Sequence, residues 1–69
     1  MADIELTLGD KIRAIRRARG MSQEEFARKT GIFQGQVAQY ETGRNLPSIN
    51  TLEWICKALN ISASDLLGF

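Results

Sequence analysis

The sequence predicts an all-α fold, and three observations carry that prediction. Apolar residues recur at helical spacing, as Leu8, Ile12 and Ile15 do at i, i+4 and i+7. Gly20, Gly31, Gly43, Pro47 and Asn60 punctuate the chain between such segments. No stretch alternates apolar and polar residues for the length of a useful strand, and there are no repeats or low-complexity tracts. With 69 residues the chain makes one domain, whose core is small. We expect it to span residues 7–67, with short tails at 1–6 and 68–69.

The elements follow in order. Helix one is expected over 8–19, with Gly20 at the position that ends a helix in the left-handed conformation. Helix two begins at Ser22, where Ser22 and Glu25 form an S-x-x-E capping box, and Glu24 suits the positive end of the helix. Phe26 and Ala27 are expected to face inward, and Gly31 stops the helix. Helix three is expected over 34–41, with Ile32, Val37 and Tyr40 inward and Gly43 at its end. Ser48, after Pro47, is the expected N-cap of helix four, whose inner stripe is Leu52, Ile55, Cys56 and Leu59. Asn60 suits its left-handed end, and Ser62 with Asp65 predicts a last short capped turn.

Composition narrows the function. A 43% hydrophobic, 25% charged chain argues against disorder. One cysteine allows no intrachain disulfide, which fits a reducing compartment. No apolar run approaches the ~18 residues of a membrane span, and no secretory leader is visible. The expectation is a cytoplasmic protein with no membrane contact. Without a histidine, a second cysteine, a triad or a phosphate loop, neither an enzyme nor a metal or cofactor site is expected, and Cys56 reads as core.

The net charge of +1 hides an asymmetry. Residues 1–10 are net −3, residues 11–44 are +5, and residues 45–69 are −1. A basic half attracts polyanions, but a charge run alone is more commonly a solvated helix face, and a patch this modest is not enough by itself.

The stretch SQEEFARKTGIFQGQVAQYETG, residues 22–43, carries more information. Only two residues separate the stop at Gly31 from the start at Gln34, so the two helices must cross steeply. A small residue is needed where they approach, and Ala27 stands there. The spacing of Ala27, Gly31, Ile32, Val37 and Tyr40 matches a helix-turn-helix. Arg16 is eight residues past Leu8 and four past Ile12, on or near the buried stripe, so its charge needs a partner.

Over about residues 7–67 the chain resembles the Cro/repressor-type, or XRE, helix-turn-helix family. The resemblance lies in LGDKIRAIRRARGMSQEEFARKTG, YETGRNLPS and TLEWICKALNIS. It implies a five-helix, lambda-repressor-like DNA-binding bundle, with the helix-turn-helix formed by helices 2 and 3 and the third helix in the major groove. It also implies a transcriptional regulator, most simply a repressor, that binds a two-fold operator on double-stranded DNA as a homodimer. With no effector domain expected, control would come through concentration, dimerisation or a regulatory or toxin protein. An antitoxin, a restriction–modification controller or an interaction module that has lost DNA binding are the alternatives.

The family pattern places Gln34, Gly35 and Gln39 at base-contacting positions, with Gln36 nearby. Glutamine amides both donate and accept, which suits base edges, although glutamines also serve as plain solubilising residues. Phe33 stands where relatives often carry a Ser or Thr cap; it either meets a thymine methyl or tucks into the core. Gly35 either lets the backbone approach DNA closely or weakens recognition. Gln23 resembles the family's phosphate-binding glutamine, with backbone donors from its helix start. Arg44 and Asn45 are expected along the DNA backbone, with Arg13, Arg17 and Lys11 as weaker phosphate candidates, and Arg28 and Lys29 weaker still. Glu41 matches the family's ion-pair partner for Arg16. Trp54 lies off the inner stripe of helix four; it either packs along a helix edge or, with Leu67 and Phe69, helps to form a dimer surface.

Overall fold

The computed structural model describes residues 7–67, of Leu67 only the backbone. The described residues form five helices and no strand: α1 (Leu8–Ala18), α2 (Gln23–Thr30), α3 (Gln34–Thr42), α4 (Ile49–Leu59) and α5 (Ala63–Leu67). α1 packs on α3 and α5, α2 on α3 and α4, and α4 on α5. The core is Ile12, Phe26, Ala27, Val37, Tyr40, Ile55, Leu59 and Leu66, with Leu8, Ile15, Met21, Ile32, Leu52, Cys56 and Ile61 packed around it.

Local chemistry sets the helix ends. Ser22 and Glu25 exchange hydrogen bonds in the expected capping box, and Ser48 accepts from the Thr51 N–H. Ser62 and Asp65 do the same for α5. Thr7 and Asp10 form a further box at the start of α1, which holds the Asp10 carboxyl below its ordinary range through the Thr7 backbone N–H. At Asn60 the backbone turns left-handed, at φ 55°, as expected from a helix-ending Asn.

Two burial features go beyond the periodicity. Thr30 is buried among apolar residues because its hydroxyl donates back to the Phe26 carbonyl at 2.8 Å. Gly9 is buried against the end of α3. A Cβ there would overlap the Tyr40 carbonyl oxygen and lie 3.0 Å from that of Glu41. α1 and α3 can approach so closely only because residue 9 has no side chain.

Candidate nucleic-acid interface

α3 presents two different surfaces. Inward, Val37 and Tyr40 fill the core and Glu41 lies beneath the surface. Outward, Gln34, Gly35 and Gln39 are exposed and Gln36 is half-buried. Glu41 is the sole charged residue of α3, so the outer face carries amides and no charge.

The inward end is fixed by the Glu41 carboxylate, whose side chain is fully buried. Arg16 Nε donates to Oε2 at 2.8 Å, and its Nη2 donates to Oε1 at 3.1 Å. The third arm of the same guanidinium, Nη1, donates to the Met21 carbonyl at 2.8 Å. Arg13 donates from Nε to Oε1 at 3.3 Å, and from Nη2 to the Glu41 backbone carbonyl at 3.1 Å. Gln23 Nε2 adds a donor to Oε1 at 3.2 Å. Burial pushes the Glu41 carboxyl up, but these donors outweigh it, Arg16 first, and hold it below the ordinary range. The same pairing raises Arg16. One carboxylate at the end of α3 thus joins α1, the loop after it and α2.

The network takes in two side chains that were expected on phosphate. Arg13 was expected on phosphate; its guanidinium donates to both the carboxylate and the carbonyl of Glu41, while its side chain stays 36% exposed. Gln23 was also expected on phosphate; its amide nitrogen turns inward and donates to Glu41. Helical periodicity put Arg13 one turn before Arg16, which was the available signal for Arg13. Nothing in the spacing announced the inward turn of Gln23. Asn45 lies beyond α3, and its Nδ2 donates to the Gln39 amide oxygen, so it buttresses a candidate base-reading side chain. Arg44 is exposed just past the end of α3, where its N–H closes the helix on the Gln39 carbonyl at 3.0 Å.

The outward end of α3 is bare. Phe33 holds the N-cap position without a side-chain hydrogen bond and is 88% exposed, so it does not tuck into the core. Gly35 has open space where a side chain would stand.

Trp54 is 58% exposed, and its indole N–H donates to the Thr30 carbonyl at the end of α2. It therefore braces α4 against the helix-turn-helix. A separate apolar groove of about 430 Å³ runs between α4 and α5, lined by Ile49, Leu52, Cys56, Ala63 and Leu66 with Glu53 and Lys57, and Trp54 is not part of it. The Leu67 side chain and Phe69 lie outside the described residues. Burial raises the Cys56 thiol, as for a packing residue. Among the described residues no group of acidic, Cys or His side chains could hold a metal, and no helix is long and apolar enough to cross a membrane.

The helix-turn-helix family model matches residues 12–66, most of the chain. The chain belongs to the Cro/repressor-type helix-turn-helix family. It is 36% identical to the immunity repressor protein of Bacillus phage phi105 over 91% of this chain and 44% of that protein. It is 35% identical to control protein C.BamHI of Bacillus amyloliquefaciens over 97% of this chain and 84% of that one. The solved structure of SinR, the master regulator for biofilm formation, in complex with DNA, superposes with a TM-score of 0.79 and 31% identity. That match covers 88% of this chain and 98% of the SinR chain. The chain thus spans under half the length of the phage repressor it matches.

Proposed function

We propose that this protein regulates transcription, as a repressor, by placing α3 in the major groove of double-stranded DNA. The observation that carries the reading is the uncharged, amide-bearing outer face of α3, fixed from behind by the Glu41 network. A carboxylate on that face would be repelled by phosphate, whereas glutamine amides match base edges. In this reading Gln34, Gln36 and Gln39 meet base edges, and Gly35 lets the backbone come close. Arg44 and the N-terminal end of α2 meet phosphates, while Asn45 acts through Gln39. Arg16 and Glu41 set the angle of α3 to α1. The protein works in the cytoplasm beside its DNA.

The protein acts as a homodimer on a two-fold site. We place the dimer face on the α4–α5 groove rather than on Trp54, whose indole is turned to Thr30. Glu53 and Lys57 lie one turn apart along that groove, so a second copy related by a two-fold axis pairs each with the other.

The test is selection of bound duplexes from a random pool at near-physiological salt. The expected result is an inverted repeat with half-site centres about 34–36 Å apart, and affinity that falls steeply with salt. An enriched single half-site would remove the dimer and keep the DNA reading. No enrichment, with no salt dependence, would replace it by a protein-interaction module.

A further inference from the structure

Phe33 departs from two local rules at once. It leaves the first turn of α3 without a side-chain cap, and it exposes an aromatic ring to 88%. The nearby Gly35 offers no side chain to shelter the ring, and the space at its Cβ is empty. Burying the ring would be favourable, and Ser or Asn in its place would supply the missing cap. A residue that forgoes both stands at the N-terminal end of the helix whose outer face is otherwise amide, where a recognition helix meets base edges.

Among the groups that base pairs show in the major groove, the apolar one is the methyl at C5 of the pyrimidine ring. From this we infer that Phe33 is a specificity-determining residue whose ring packs on a C5 methyl, that of thymine in unmodified DNA. The inference rests on the DNA reading above and deepens it. The amides select donors and acceptors, and Phe33 selects for a methyl that they do not sense.

The probes are the duplexes enriched from the random pool, with each thymine replaced in turn by deoxyuridine, which lacks the methyl alone. One thymine in each half-site should lose about fourfold in wild-type affinity on replacement, the ~0.8 kcal/mol of one buried methyl at 1.4 kcal/mol per tenfold. Phe33→Ser should bind thymine and deoxyuridine duplexes alike, while its melting temperature rises with the restored cap. Phe33→Leu should keep part of the discrimination. A companion series with 5-methylcytosine for cytosine separates the two sources of the methyl. A Phe33-dependent gain there, without a deoxyuridine effect, assigns the modified base instead of thymine. Enriched duplexes that respond to neither series, or respond equally in wild type and Phe33→Ser, overturn the inference and leave the DNA reading standing. A pool that yields no duplex overturns both.

Discussion

The two ends of α3 are built on opposite principles. At the C-terminal end Glu41 is buried under Arg16, Arg13 and Gln23, Gly9 brings α1 into backbone contact, and Gly43 turns the chain at φ 80°. At the N-terminal end Phe33 supplies no cap and Gly35 supplies no side chain. The difference separates two tasks. Rigidity comes from long-range polar packing at one end; in the proposed DNA reading the other is free to present groups chosen for contact and not for stability.

The largest effect should come from breaking the fixed end. Glu41→Ala leaves Arg16, whose side chain is only 11% exposed, without its partner and should cost about 3 kcal/mol or more. In so small a domain thermal denaturation should then show a large unfolded fraction at ambient temperature. Wild-type stability that survives the change would remove the network from the account. Gly9→Ala comes next. Alanine normally favours a helix, yet here its methyl meets the Tyr40 carbonyl, and a loss of about 2 kcal/mol is expected in the same assay. A gain instead would mean that α1 and α3 separate easily.

Acid should act at the same end. The folded Glu41 carboxyl titrates below its ordinary value of 4.5, so its contribution is present above that pH and is lost as pH falls through the lower folded value. Melting temperatures from pH 7 to pH 3 should fall most steeply below about 4.5. Glu41→Gln should flatten that part of the profile, leaving the smaller effect of the Asp10 cap, which has the same sign. The smallest effect belongs to the bare end. Gly35→Ala meets no neighbour and should stabilise by about 1 kcal/mol. Affinity for the selected duplex should fall at the same time if the backbone must come close. A variant more stable and equally tight would mean that Gly35 serves no close approach.

What the sequence revealed and what it hid divide along the same line. Caps were legible because donor and acceptor lie three residues apart, as at Ser22 with Glu25 and Ser62 with Asp65. The core stripes of Ile12, Val37 and Ile55 were legible because helical period fixes direction. Periodicity says which way a side chain points but not how far it reaches, so the contacts of Arg13 and Gln23 with Glu41 did not show. The burial of Thr30 was not legible, since the hydroxyl's return to its own helix does not show in a sequence. Gly9 could be read only as an ordinary glycine near a helix start, because the backbone it touches is some thirty residues away. The exposed face of α3 was legible as composition, but whether Phe33 lay inside or outside was settled only by packing.

The brace from Trp54 to Thr30 has a practical consequence. It is the one tryptophan in the chain, and its indole N–H is held by the last residue of α2, three positions before Phe33. Indole emission responds to the polarity and hydrogen bonding of its surroundings. The chain therefore contains an intrinsic optical reporter of its helix-turn-helix corner. Opening of the α2–α4 contact should register as a change in emission wavelength, with no label attached.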